Sequence, residues 1–203
     1  MSVGFSDRPA PRSSVDAFLT SAAVVALAEI GDKTQLLAIL LATRFKKPWP
    51  IIAGIFAATV GNHALAAAVG VSAASLLDGV WFRYLVALSF IAMAGWTLIP
   101  DKMSAEDAKP ARFGAFLTTV IVFFFVEMGD KTQIATVALA ARFDAIVPVT
   151  MGTTLGMMLA NAPAVFIGHE ALKHVPLHAV RLIAAALFFG IGFWLLAQTA
   201  NLV

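Results

Sequence analysis

Residues 17–43 read AFLTSAAVVALAEIGDKTQLLAILLAT, an apolar stretch from Ala17 to Thr43 that carries Glu29, Asp32 and Lys33 near its middle. As a helix it is long enough to cross a hydrocarbon core of about 30 Å, which takes roughly 20 residues. The three charged groups then fall near the bilayer midplane. Each Asp or Lys there costs about 2.5 to 3.5 kcal/mol on insertion scales. Charges kept at that depth call for mutual pairing and for a functional reason.

Five further apolar blocks follow, at 48–71, 81–99, 113–141, 146–168 and 177–199. The fold class expected is therefore all-α: a polytopic membrane protein of six transmembrane helices. Composition agrees, since 60% of the 203 residues are hydrophobic and 13% are charged, against roughly 25% charged in soluble domains. The net charge of +2 comes with 14 basic residues placed mostly at block ends, where lipid head groups and topology account for them. The bilayer is the expected partner, and nucleic acid is not implied. The chain has no cysteine, which excludes thiolate metal sites and disulfides. Residues 1–16 form a short polar tail without the pattern of a cleaved signal, so the first block is expected to remain as a helix.

The motif recurs. Glu29-Ile-Gly-Asp-Lys-Thr-Gln35 returns as Glu127-Met-Gly-Asp-Lys-Thr-Gln133, an offset of 98 residues (127 minus 29). Arg44-Phe45 and Arg142-Phe143, Gly54 and Gly152, Arg83 and Arg181, and Trp96 and Trp194 keep the same offset. The chain thus divides into the tail, a first three-helix repeat at 17–99, a hydrophilic linker at 100–112 and a second repeat at 113–203. Three spans per repeat is an odd number, so the second copy enters from the opposite side and the repeats are inverted, as in many secondary transporters. Loops after the first, third and fifth spans carry Arg44, Lys46, Lys47, Lys102, Lys109, Arg112, Lys173 and Arg181, against Arg8, Arg12, Arg83 and Arg142 on the other side. The positive-inside rule then puts both termini outside the cytoplasm.

On a continuous helix Glu29, Asp32 and Lys33 lie at i, i+3 and i+4 and share one face, with Gln35 beside Asp32; Glu127, Asp130, Lys131 and Gln133 repeat this. If the two faces meet, four carboxylates and two amide oxygens converge. Such oxygen-rich sets suit Ca²⁺, Mg²⁺ and Mn²⁺. Four carboxylates against the charge-balancing Lys33 and Lys131 leave a formal −2, neutralised by one divalent cation or by two protons. Burial penalises bare charge, so protonation is the least costly way to replace a departing metal. Gly31 and Gly129 either open the helix locally or serve close packing. Asn62 and Asn161, offset by 99 (161 minus 62), either supply neutral oxygens or make interhelical hydrogen bonds. Gly54, Gly61, Gly152 and Gly156 let helices approach.

Two complete copies of Glu-x-Gly-Asp-Lys-Thr, at 29–34 and 127–132 in a chain of this size, resemble the GDT family of cation/proton exchangers, and the likeness covers essentially the whole chain. The resemblance implies transport of Mn²⁺, with Ca²⁺ as a further substrate, driven by proton counter-flow. Bacterial members are associated with manganese export, which implies a bacterial inner-membrane location. It also implies that Glu29, Asp32, Glu127 and Asp130 are the functional acids, with Gly31, Thr34, Gly129 and Thr132 as supporting motif positions. No resident cofactor is expected, since Mn²⁺ or Ca²⁺ would be cargo. A homo-oligomer is compatible with the sequence.

Other polar residues have blander readings. His63, inside the second span, is expected to be a packing histidine rather than a proton relay, because Ala162 follows Asn161 where His63 follows Asn62. His169, Glu170, His174 and His178 lie among Lys173, Pro176 and Arg181 and read as a solvated loop rather than a metal sensor. No nucleophile triad, phosphate loop or zinc-protease spacing appears, so an enzyme is not expected. A passive divalent channel is the rival class, and the opposed repeats with lysines beside the acids favour alternating access over an open pore.

Overall fold

A computed structural model of the chain describes residues 13–77, 79–99, 113–167 and 176–200. Among these, regular structure is entirely helical: α1 (Ser14–Glu29), α2 (Lys33–Phe45), α3 (Pro48–Leu76), α4 (Val80–Thr97), α5 (Ala115–Glu127), α6 (Lys131–Phe143), α7 (Ile146–Ile167) and α8 (Leu177–Thr199). The linker lies outside the described residues, as do His169, Glu170 and His174.

The expected spans at 17–43 and 113–141 are not continuous helices; each is broken at its motif. Ile30 (φ −64°, ψ 117°) precedes Gly31 at φ +80°, and the Asp32 N–H donates to the Glu29 carbonyl at 3.0 Å. Met128 (φ −67°, ψ 119°), Gly129 at φ +78° and the Asp130 N–H to Glu127 carbonyl bond at 3.1 Å repeat it. This is the pattern of a type II turn, whose third residue needs positive φ and hence glycine. The physical reason for the break is therefore Gly31 and Gly129 themselves. α2 and α6 also end alike, on Lys46 and Asp144 in the left-handed region, and Pro48 then opens α3 at its first turn, where a missing N–H costs nothing.

The repeats pack by exchange. A Cβ on Gly54 would stand 2.7 Å from Thr119 Cβ and 2.9 Å from the Phe116 carbonyl, so α3 lies directly on α5. A Cβ on Gly152 would overlap the Phe18 carbonyl and stand 2.9 Å from Ser21 Cβ, so α7 lies directly on α1. Gly54, Phe116 and Thr119 correspond at the 98-residue offset to Gly152, Phe18 and Ser21, and the two contacts are the same contact with the repeats interchanged. Between α4 and α8, Phe90 and Phe188 are themselves offset equivalents, and their buried rings stand 6.2 Å apart. A residue touching its own counterpart marks the approximate two-fold axis.

α3, α4, α7 and α8 are each long and apolar enough to cross a membrane, and α1 with α2, bent by 71° at the break, makes a fifth candidate span; α5 is a shorter apolar helix. Leu76, Trp81, Trp49 and Phe125 are largely exposed, as a lipid-facing surface requires and a water-facing one would not tolerate.

Candidate cation site

The two breaks put the motif side chains at helix ends rather than on one helix face. Glu29 and Glu127 close α1 and α5, Asp32 and Asp130 are the N-cap residues of α2 and α6, and Lys33 and Lys131 are the first residues of those helices. The shared face expected within each helix is replaced by pairing between the repeats. Lys33 Nζ lies 2.8 Å from Asp130 Oδ1, and Lys131 Nζ lies 2.8 Å from Asp32 Oδ1. Each aspartate is thus neutralised by the lysine of the other motif. The helix N-termini of α2 and α6 add favourable positive potential beside the carboxylates.

Glu29 and Glu127 are completely buried. Glu127 Oε2 accepts from Thr132 Oγ1 at 2.8 Å, and Glu29 Oε1 accepts a longer bond from Asn161 Nδ2 at 3.4 Å. Glu29 Oε2 and Glu127 Oε1 have no hydrogen-bond partner among the described residues. Electrostatically the group is one unit, for the charges of Glu127, Asp32 and Asp130 all bear on Glu29. The carboxylates do not form a coordination shell: among the described residues no three His, Asp or Glu side chains stand together as a metal-binding cluster. The two ammonium groups lie against the aspartates instead.

Gln35 and Gln133 brace the turns. Their Oε1 atoms accept from the backbone N–H of Gly31 at 2.8 Å and Gly129 at 2.6 Å. Their amide groups then tie each turn to the opposite repeat, Gln35 Nε2 to the Ala160 carbonyl at 2.8 Å and Gln133 Nε2 to Asn62 Oδ1 at 2.9 Å. Asn62 donates to the Phe124 carbonyl at 3.3 Å, and Asn161 also donates to the Met157 carbonyl at 3.1 Å. Thr34, like Thr132, is buried.

The halves are not equally covered. Leu177, at the start of α8, lies over Gly31, where a Cβ would stand 2.6 Å from its Cδ2, whereas a Cβ on Gly129 would meet nothing within 4 Å. The offset equivalent of Leu177 is Gly79 (177 minus 98), which has no side chain to cover the second turn. Correspondingly the Lys33 side chain is 24% exposed and that of Lys131 4%.

Sequence reasoning did not anticipate the exchanged ion pairs or the cover over Gly31. It also paired the wrong residues of α3 and α7. Gly54 and Gly152 in the structure, and Gly70 and Gly168 in the sequence, fix an offset of 98 on both sides of the asparagines. Asn62 therefore corresponds to Ala160, and His63 to Asn161. The strict register was the signal that could have shown this. His178 lies exposed in the first turn of α8, next to Leu177.

Fold and site together define a multi-pass helical membrane protein with paired helix breaks that bury four carboxylates and pair two of them with lysines, one buried and one partly exposed. The chain belongs to the family described as "Divalent cation/proton antiporter GDT1", whose profile matches residues 17–105 and again 115–202. It is 51% identical over 182 residues to a Vibrio cholerae protein named "Putative manganese exporter", covering 89% of this chain and 90% of that one. It is 28% identical over 197 residues to "GDT1-like protein sll0615" of Synechocystis (85% and 93% covered), and 27% over 201 residues to "GDT1-like protein 4" of Oryza sativa subsp. indica (86% and 71%). No solved structure matches the chain. The family is one of transporters, not enzymes.

Proposed function

We propose that the protein exports Mn²⁺ from the cytoplasm in exchange for protons, with Glu29, Asp32, Glu127 and Asp130 as the cation-binding acids. The observation that carries this reading is the pair of exchanged lysine–aspartate bridges at the two breaks. In the metal-free state Lys33 and Lys131 stand in for the cation. An arriving Mn²⁺ competes for the aspartate oxygens, displaces the ammonium groups and draws in Glu29 and Glu127. When it leaves, protons take up the charge on the two glutamates and the lysines return. Metal and protons cannot be held together, which is the condition for exchange rather than leak.

In this reading Gln35 and Gln133, whose oxygens serve the glycine N–H groups, hold the turns rather than ligate. Asn161, whose Oδ1 has no partner among the described residues, offers a neutral oxygen, and Asn62 acts through Gln133. Glycine-hinged breaks let each turn move without breaking helix hydrogen bonds. The topology proposed is six crossings, with α1–α2 and α5–α6 as the two broken ones and the repeats at 17–99 and 113–203 inverted. Both termini lie outside the cytoplasm, in a bacterial plasma membrane. The high identity to a protein named as a manganese exporter supports Mn²⁺ as cargo.

Everted membrane vesicles test the reading. An imposed pH gradient, acid inside, should drive Mn²⁺ into vesicles that carry the protein, and a protonophore should stop it. Mn²⁺ entry unaffected by the protonophore points to the channel, and equal entry into vesicles lacking the protein removes the transport reading.

A further inference from the structure

The offset that relates the repeats places His63 where the second repeat has Asn161. Asn161 reaches Glu29, the last residue of α1. Interchanging the repeats carries Glu29 to Glu127 and Asn161 to His63, so by the offset the imidazole is the counterpart of the amide that reaches Glu29. The neighbourhood agrees, because Asn62, one residue away, bonds to Phe124 on the last turn of α5 and to Gln133 on the first turn of α6. Glu127 lies between those two elements. His63 is fully buried, and neither of its ring nitrogens has a hydrogen-bond partner among the described residues; the same is true of Glu127 Oε1.

A buried imidazole with both nitrogens unsatisfied is costly, and such groups are retained where a ligand completes them. Imidazole adds a nitrogen donor to a region whose other described donors are carboxylate, amide and hydroxyl oxygens and the Met157 thioether. Ca²⁺ and Mg²⁺ take oxygen ligands; Mn²⁺ also suits oxygen and is the weakest of the first-row divalent ions at nitrogen sites, but its affinity for an imidazole exceeds that of the two alkaline-earth ions. From these observations we propose that His63 is a ligand of the transported cation, and that its nitrogen makes the carboxylate-rich site favour Mn²⁺ over Ca²⁺ and Mg²⁺. The inference rests on the exchange reading above. It adds an asymmetry to it: the second repeat contributes an amide to the first repeat's glutamate, and the first contributes an imidazole to the second's.

Pulsed electron paramagnetic resonance of Mn²⁺ bound to the purified protein tests this directly, since a coordinated imidazole imprints ¹⁴N modulation on the echo. The wild type should show it, and His63→Asn, which gives the first repeat the residue the second already has, should lose it. A residue that only orients a metal ligand is worth at least about tenfold in metal affinity. His63→Asn should therefore lower the ratio of Mn²⁺ to Ca²⁺ affinity by about tenfold or more, and Asn161→His should raise it. Bound Mn²⁺ without ¹⁴N modulation in the wild type, or modulation and metal preference unchanged in His63→Asn, overturns the assignment and leaves the four acids standing. The wild-type spectrum decides even if neither variant folds. Wild-type protein that neither binds nor moves Mn²⁺ overturns the exchange reading along with it.

Discussion

Lys33 and Asp130 lie 97 positions apart in the chain (130 minus 33) and 2.8 Å apart in space, and Lys131 returns the contact to Asp32 at the same distance. Charge balance at the site is therefore shared between the repeats and belongs to neither alone. A cation that separates Lys33 from Asp130 acts on both halves of the molecule at once, as alternating access between two packed repeats demands.

The bridges should differ in strength. Lys131 and Asp32 are sealed, while Lys33 is partly exposed. Removing one partner of a buried pair costs about 3–5 kcal/mol because the other charge is left unpaired. Lys131→Met should lower the melting temperature of the detergent-solubilised protein more than Lys33→Met does. Equal melting temperatures would place both pairs in the same environment, contrary to the observed cover.

Gly31→Ala and Gly129→Ala should both impair transport, since the left-handed region costs a residue with a Cβ about 1–2 kcal/mol. Gly31→Ala should be the worse of the two, because its methyl also meets Leu177. Adding Leu177→Ala should recover part of the Gly31→Ala loss and none of the Gly129→Ala loss. Melting curves and transport rates of the double variants check this.

Glu29→Gln, Asp32→Asn, Glu127→Gln and Asp130→Asn should each reduce Mn²⁺ transport to background while the protein still inserts, as judged by its amount in washed membranes. Preserved transport in all four would remove the proposed site.

Metal affinity should rise with pH. Metal ligands must be deprotonated to bind, so Mn²⁺ binding releases protons. The sign follows: acid favours the proton-loaded form and weakens Mn²⁺ binding, and raising pH strengthens it until the acids are bare. Each proton released contributes about tenfold in apparent affinity per pH unit. Mn²⁺ titrations at several pH values should approach a hundredfold per unit for two protons, and a flat profile would contradict competition.

Much of this was legible in the sequence, for specific physical reasons. Hydropathy exposes α3, α4, α7 and α8 because lipid-facing helices must be apolar along their length. The 98-residue offset exposes the repeat because duplicated packing keeps residues such as Gly54 and Gly152. Helical periodicity misread the motifs, for Glu29, Asp32 and Lys33 fit one helix face as well as they fit a break. Only the positive φ of Gly31 and Gly129 distinguishes the two, and glycine is common in membrane helices for packing alone. The exchange of lysines between Asp32 and Asp130 depends on how the repeats dock, which local spacing does not encode. The correspondence of His63 with Asn161 was missed because two asparagines near the same depth invited a one-residue shift in register.

Proteoliposomes holding a pH-sensitive dye and given a Mn²⁺ gradient test the central claim most directly. Wild-type protein should move protons opposite to Mn²⁺, two for each Mn²⁺ if the formal −2 of the site is the exchanged charge, and Asp130→Asn should move neither. Mn²⁺ flux without any proton movement would contradict the account.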